Sequence, residues 1–251
     1  MSHFSSLKSL LENNFECYFF ESIDSTNSFL ASTKYSTKPQ ICITREQTKG
    51  KGQHGRNWVS QKDGSIIFSM RKSFHEGMNL NGLSLIAGMA IIKSIEAECQ
   101  LSGLKIKWPN DIYYGDKKLA GILMENTHYK SKQLVLIGVG INYQLVDTNE
   151  IDALWVDLSR ILNKLPNFQQ LTANVINNII IFLEDFQING LSSLLSEWDH
   201  YDMLKGARIK FRESNIELQG QIDGITNQGA LKVVTKDGVK ELYSSMHIEY
   251  I

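Results

Sequence analysis

Apolar residues recur at helical spacing between positions 83 and 99, at Leu83, Ile86, Ala87, Ala90, Ile91 and Ile95, with Asn81 before the run and Gly103 after it. That period predicts a helix with a buried face. Most other apolar stretches are short and bounded by turn residues, the mark of strands. Residues 16–22 are rich in aromatics; residues 40–44 and 65–70 are compact apolar runs. Four more runs follow closely, at 104–108, 112–114, 119–126 and 134–141, with Pro109-Asn110 and Gly115-Asp116 as breaks. Adjacent strands of one sheet are the natural reading. Asp24-Ser-Thr-Asn27 is a cluster of helix-capping side chains, and predicts a short helix over 28–35. Residues 171–186 and 191–201 read as two further helices.

The pattern changes after residue 203. Short strands are predicted at 207–211, 217–222, 230–234, 240–243 and 247–250, broken at Glu213-Ser-Asn215, Thr226-Asn-Gln-Gly229 and Lys236-Asp-Gly238. Asp237-Gly238 is a strong hairpin signal. The fold class is therefore α+β: a mixed sheet packed with helices over 1–203, and a small all-β, barrel-like unit over 204–251.

Composition narrows the choice. A chain of 251 residues, 42% hydrophobic and 21% charged, excludes collagen, coiled coil and wholesale disorder, and can bury a core without disulfides or metals. Its 26 basic and 27 acidic side chains leave a net charge of −1, which argues against a general DNA or membrane-surface binder. The N-terminus lacks a long apolar core behind a basic start, and 175–186 is too short and too polar to span a bilayer. Cys17, Cys42 and Cys99 form no zinc or disulfide pattern; reduced, buried thiols in a cytoplasmic protein are expected.

Four constellations could carry chemistry. Residues 45–58 hold Arg45, Lys49, Lys51 and Arg56 against Glu46, with Gly50, Gly52 and Gly55 allowing close backbone approach to an anion; alone they fit a solvated flexible loop equally well. The spacing is not that of a P-loop. Lys105-Ile-Lys-Trp-Pro-Asn-Asp111 gathers cations, an amide and a carboxylate at a strand end, where Asp111 could hold magnesium or orient a lysine; alone it reads more simply as a turn. Lys118 precedes Ala120-Gly121 in an apolar strand, marking either a packing glycine or close approach of a ligand. Gly138-Val-Gly140 precedes no helix, so a dinucleotide fingerprint fails, and a strand with small residues facing a pocket remains. The histidines His3, His75, His128, His200 and His247 are scattered and suggest no metal site, and His54 reads as a solvent-facing spacer. Trp155 reads as core, with capping of a ligand pocket as the alternative.

Order and spacing say more than each motif alone. Asp24-Ser-Thr-Asn27, Gly50-Lys-Gly-Gln-His-Gly-Arg56 with Trp58, Lys107-Trp-Pro-Asn-Asp111, Lys118-Leu-Ala-Gly-Ile-Leu123 with Glu125, and Gly138-Val-Gly-Ile-Asn142 together resemble the biotin protein ligase family. The resemblance runs from about Phe15 to the C-terminus. It implies a class II synthetase-like biotin/lipoate ligase core with an SH3-like C-terminal domain. It implies ATP with Mg2+ and biotin as substrates, no permanent cofactor, and transfer through biotinyl-5′-AMP to a lysine of a biotin carboxyl carrier domain, of acetyl-CoA carboxylase or a similar carboxylase. About fourteen residues precede the core, too few for a three-helix DNA reader, so a ligase without repressor function is expected. Family members pair through sheet edges, some only when liganded; monomer and homodimer both stay open.

By the same resemblance, Ser25, Thr26 and Asn27 would bind the ureido head of biotin, with Gln47 beside the ring. Gly50, Lys51, Gly52 and Gln53 would lie against the ligand in a loop that closes over the adenylate. Lys107 would bridge the biotin carboxylate and the phosphate, and Arg56 and Lys118 would address phosphates. Trp58 would shelter the adenine side, Asn110 and Asp111 would shape the magnesium region, Gly121 would admit the ligand, and Asn142 would touch the nucleotide. The common loop pattern is Gly-Arg-Gly-Arg-x-Gly-Arg; Lys51 and Gln53 replace its first two arginines here, so a less firmly latched loop is expected unless Arg45, Lys49 or His54 compensates. A lipoate or octanoate ligase, and a non-catalytic biotin-binding regulator, are the rival readings.

Overall fold

The computed structural model describes residues 4–146, 154–213, 216–245 and 248–251. The expectations for His3, Ser214, Asn215 and His247 fall outside those residues.

Seven strands form the first sheet: β1 (Glu16–Phe20), β2 (Gln40–Thr44), β3 (Ser65–His75), β4 (Leu104–Lys107), β5 (Asp111–Tyr114), β6 (Lys117–Tyr129) and β7 (Lys132–Asn142). Their order is β1-β2-β3-β7-β6-β5-β4. β1 and β2 run parallel and every other pair antiparallel, so the sheet is mixed. Side chains alternate between two faces along each strand. Ile66, Phe68 and Met70 of β3 and Val135, Ile137, Val139 and Ile141 of β7 face the main core with α3 (Leu83–Cys99) and α5 (Phe168–Asn189). The opposite face carries the smaller cluster of Leu30, Cys42 and Leu136 under α2 (Thr26–Ser32). Helices α1 (Ser5–Leu11), α4 (Leu158–Ile161) and α6 (Ser192–Tyr201) complete this part.

Several boundaries differ from expectation. α2 starts at Thr26, not 28, because Ser25 is the N-cap, its Oγ accepting from Ser28 N at 3.4 Å; Thr26 and Asn27 are thus buried in the first turn. It ends at Ser32, where the Arg71 guanidinium takes the carbonyls of Leu30, Thr33 and Lys34. β3 runs on to His75, paired with β7 along its whole length; Arg71 and Lys72 disguise that extension in the sequence. α1 was not anticipated, and it buries Leu7 and Leu11. Of the cysteines, Cys42 is buried while Cys17 and Cys99 are half-buried; all three are free thiols.

The second sheet has five antiparallel strands in the order β11-β10-β9-β8-β12, from β8 (Arg208–Glu213), β9 (Ile216–Ile225), β10 (Leu231–Thr235), β11 (Gly238–Leu242) and β12 (Glu249–Tyr250). Its size and place fit an SH3-like unit. It is fastened close to β4: Met203 N donates to Ile106 O at 3.1 Å, and the buried Trp108 indole donates to Gly229 O at 2.9 Å. Among the described residues no helix is long and apolar enough to cross a membrane.

Candidate active site

Register across the sheet assembles the site. Ile67 of β3 pairs with Gly140 of β7, Gly140 with Gly121 of β6, Gly121 with Asp111 of β5, and Asp111 with Lys107 of β4. Directly opposed residues share a face, so these form one row on the α2 side of the sheet. From Gly140 to Lys107 the row crosses three strand spacings, about 14 Å. A second row, Ser69–Gly138–Leu123, runs beside it under α2.

Lys118 joins the row through an irregularity. Asp111 faces Gly121 and Ile112 faces Ala120, but Tyr113 faces Lys118 rather than Leu119. The extra residue is a β-bulge, which reverses the facing of the strand beyond it. Leu119 and Ala120 are both buried in the core, and Lys118 turns to the cleft face, where its ammonium lies 2.7 Å from Asp111 Oδ1. The backbone at 118 bonds instead to the segment at 154–156, through Lys118 N to Leu154 O and Val156 N to Lys118 O, both at 3.0 Å.

The resulting cleft encloses about 490 Å3, part of it open to solvent. Ser25, Thr26, Asn27, Gln47, Lys51, Gly52, Gln53, Trp58, Asn110, Asp111, Lys118 and Gly121 all line it. At its α2 end the lining polar groups are amides and hydroxyls, already engaged with one another and with the Glu125 carboxylate. Gln47 Oε1 accepts from Thr26 N at 2.8 Å and from Thr26 Oγ1 at 3.0 Å. Asn27 Nδ2 donates to Glu125 Oε2 at 2.6 Å, and the Ser69 hydroxyl bonds to Thr26 Oγ1 at 2.6 Å and to Asn27 Oδ1. Asn27 fits only because position 138 is glycine: a Cβ there would lie 2.5 Å from its Oδ1.

Trp58 fills the middle of the row. A Cβ on Gly140 would collide with its indole ring and sit 2.8 Å from Nε1; one on Gly121 would sit 3.1 Å from Cζ3. The Trp58 Nε1 proton is buried without a hydrogen-bond partner among the described residues, a donor awaiting an acceptor. Gly140→Ala is therefore expected to expel the indole, seen as a shift in tryptophan emission and an overpacking loss of about 1–3 kcal/mol in denaturant unfolding. Unchanged emission would contradict the packing.

The basic loop is more ordered than its composition implies. Trp58 N donates to Gly50 O at 2.9 Å and Gly52 N to Arg56 O at 2.7 Å, with Lys51 bridged to Asn57, so two short arms close over a turn at Gln53–Gly55. Asp24 fastens the base, accepting from Thr48 Oγ1 at 2.8 Å and pairing with Lys49 at 3.0 Å; the Thr48 bond and Lys49 hold its carboxyl below the ordinary range. Arg45 pairs with Asp63 and Glu21. Neither Arg45 nor Lys49 compensates for Gln53 in this arrangement, and exposed His54 sits 3.5 Å from Ser245 Oγ instead.

Four candidates stand outside the cleft lining. Gly50 packs against Trp58 and Gln47. Arg56 is exposed, its Nε 3.5 Å from Gln53 O. Asn142 is buried and spends its amide on the carbonyls of Lys118 and Val156, at 3.3 and 3.0 Å. Those bonds brace the backbone at 118 and 156 against β7. Asn110, though it lines the cleft, spends its amide similarly, on Ile122 O at 2.7 Å. Lys107 ends the row, its ammonium over the rings of Tyr113 and Tyr250. Trp155 is half-buried under the Arg160 guanidinium, 4.1 Å from its ring centroid, and is not core. Ser69, Gly138, Gly140 and Glu125 belong to the site without having been assigned a role; the two-residue spacing of Gly138 and Gly140, which puts both on one strand face, is the signal that could have found them. No group of three or more metal-ligating side chains occurs among the described residues.

Comparison with known proteins agrees with this arrangement. The model of the biotin/lipoate A/B protein ligase family matches residues 19–142, the segment holding both rows and the basic loop. The chain is 32% identical over 222 residues to the bifunctional ligase/repressor BirA of Escherichia coli, covering 86% of this chain and 68% of that protein. The chain belongs to the biotin/lipoate A/B protein ligase family. Within it, biotin–protein ligase 2 of Arabidopsis thaliana is 27% identical over 212 residues, covering 79% of this chain and 63% of that one. The biotin protein ligase from Aquifex aeolicus, solved in complex with biotin and ATP, superposes with a TM-score of 0.80 at 26% identity, covering 94% of this chain and 98% of that one. That coverage extends the likeness across the second sheet.

Proposed function

We propose that this protein is a biotin–protein ligase, activating biotin with ATP to biotinyl-5′-AMP and passing the biotinyl group to a lysine of a carrier protein. One observation carries the reading: a single cleft lined by amides and hydroxyls under α2 and, toward β5 and the basic loop, by the ammonium groups of Lys118 and Lys51. Biotin has that polarity, a neutral ureido head and an anionic tail.

In the first step a carboxylate oxygen attacks the α-phosphorus of ATP and pyrophosphate leaves. Two anions must meet, so positive charge and N–H donors at the meeting point lower the barrier. Lys107 and Lys118 supply charge at that end of the row, and Lys51, Gly52, Gln53 and Arg56 cover it from the loop. Magnesium arrives with ATP as part of the substrate; Asp111, held by Lys118, stands nearest to where it would enter. In the second step the carrier lysine amine attacks the acyl carbon and AMP leaves. The loop over the cleft shields the mixed anhydride from water meanwhile. Ser25, Thr26, Asn27 and Gln47 hold the head, Gly121 and the glycine floor admit the ligand, and Trp58 walls the nucleotide side. Asn110 lines the cleft beside Asp111, and Asn142 braces the Lys118 backbone behind it.

A lipoate or octanoate ligase fits less well. A dithiolane or alkyl end has no polar groups to satisfy Thr26, Asn27 and Ser69, and leaving such buried groups unpaired when their mutual bonds open is strongly penalised. The acceptor we infer is a biotin carboxyl carrier domain of acetyl-CoA carboxylase or a similar carboxylase. The catalytic unit we assign to 1–203 and the SH3-like unit to 204–251. Three free thiols support a reducing compartment, the cytoplasm.

The test is exchange of labelled pyrophosphate into ATP by the purified chain. Label should enter ATP with biotin and not with lipoate or octanoate. Exchange with lipoate alone would overturn the biotin assignment; biotin binding without exchange would make the protein a regulator. A further expectation follows from the loop. Gln53→Arg should slow release of biotinyl-AMP several-fold, because it restores a fork of charged donors at a position that lines the cleft. Equal release rates for variant and parent would remove that role.

A further inference from the structure

The row that ends at Lys107 has one more neighbour, and it comes from the other sheet. β12 pairs with β8, Tyr250 opposite Ile209, and this sets the Tyr250 ring 4.8 Å from the Lys107 ammonium, measured to the ring centroid. Tyr113, two residues along β5 from Asp111, has its ring centroid at 5.4 Å. The half-buried ammonium is thus shared by two aromatic faces. Partial burial raises both phenols above their ordinary range, and Asp111 adds to this at each, so the rings stay neutral near pH 7, although Tyr250 is 44% exposed. A neutral ring face attracts a cation enough to select one placement of a flexible four-carbon stem, yet carries no full charge to cancel it.

The frame behind this contact is firm on both sides of Lys107. Ile106 O accepts from Met203 N and the Trp108 indole donates to Gly229 O, so its two sequence neighbours are each tied to the C-terminal part of the chain. Among the described residues no carboxylate pairs with Lys107, whereas Lys118 is paired with Asp111 and Lys49 with Asp24. The rings are what place this ammonium.

We propose that Tyr250 is a positioning residue for Lys107: the C-terminal sheet reaches back over β4 and, through the Tyr250 ring, holds the lysine at the end of the row before substrate arrives. The inference rests on the ligase reading for its effect on rate, but the contact itself can be read without substrate. A ring so placed steers the lysine and takes no part in bond making. Its removal then lowers turnover rather than affinity for biotin.

The experiment compares Tyr250→Leu and Tyr250→Phe in the full chain. Without substrate, limited labelling by an amine-reactive acetylating reagent, read at Lys107 by peptide mass spectrometry, should rise several-fold in Tyr250→Leu and stay at the parent level in Tyr250→Phe. In biotin-dependent exchange, Tyr250→Leu should lower kcat about five- to tenfold with KM for biotin unchanged, and Tyr250→Phe should retain the parent kcat. In a Lys107→Met background, Tyr250→Leu should have no further effect. Parent-level labelling in Tyr250→Leu, or the same fold-loss with and without Lys107, would overturn the proposal. Absence of biotin-dependent exchange in the parent would overturn the ligase reading, while the labelling arm still decides the contact.

Discussion

Lys107→Ala is expected to lower biotin-dependent pyrophosphate exchange by about 100- to 1000-fold, a loss comparable to removing one preorganised donor to a developing oxyanion. The argument is electrostatic. The biotin carboxylate and the α-phosphate repel each other, and the positively charged groups near the end of the row are few. Lys118 lies 2.7 Å from Asp111, so much of its charge is already answered. Arg56 and Lys51 are exposed, where solvent screens them. Lys107 is half-buried, faces the same side of the sheet as Gly121 and Gly140, and has aromatic rings beside it rather than a carboxylate. It is therefore the cation of this row with no carboxylate paired to it among the described residues. Lys107→Arg should recover part of the rate, since charge persists with a different shape. The checking measurement is initial exchange rate at saturating biotin and ATP. An alanine variant within threefold of the parent would remove Lys107 from the mechanism.

The elements around this site were largely legible in the residues, because their apolar periods are clean. β2 and α3 fall on their expected bounds, and the four strands from 104 to 141 lie within a few residues of theirs. What local pattern cannot carry is pairing. The bulge that turns Lys118 to the cleft depends on Leu119 and Ala120 both being drawn into the core. Nothing in the local string announces it. The bonds of Asn142 were equally hidden. The residue stands in a motif that resembles a nucleotide-binding one, and its amide is used by Lys118 O and Val156 O, a bond set made by a distant segment. Tyr250 was invisible as a partner of Lys107 because that contact spans two sheets, and Tyr113 because its place beside Lys107 depends on the register of β4 and β5. The glycines were visible as small residues facing a pocket, but what they admit, Asn27 on Gly138 and Trp58 on Gly140, is a matter of register.

Arg71→Met should destabilise the protein by about 3 kcal/mol, and by roughly 10 °C in melting temperature for a chain of this size. Arg71 is 6% exposed and, among the described residues, pairs with no carboxylate; it is held by oxygen dipoles. Nε donates to Gln40 Oε1 at 2.8 Å, Nη1 to Leu30 O at 2.5 Å and Thr33 O at 2.9 Å, and Nη2 to Lys34 O at 2.7 Å and to Gln40 Oε1. Burial lowers its pKa below the ordinary guanidinium range, while Tyr18, Glu16 and Tyr35 act the other way, and the group remains charged. The carbonyls it collects are those at the C-terminal end of α2, where a cation also answers the helix dipole. Methionine keeps the stem's packing but leaves Thr33 O and its neighbours short of donors. The helix whose end is loosened is the one whose first turn carries Thr26 and Asn27 behind the Ser25 cap. The variant should therefore raise KM for biotin while kcat at saturation, measured well below the melting temperature, stays near the parent value. Arg71→Lys should fall between the two, since three donors replace five without the planar fork. Calorimetry and exchange kinetics on the same preparations check both parts: a melting temperature within two degrees of the parent would refute the capping role, and a lower kcat at unchanged KM would refute the route through α2.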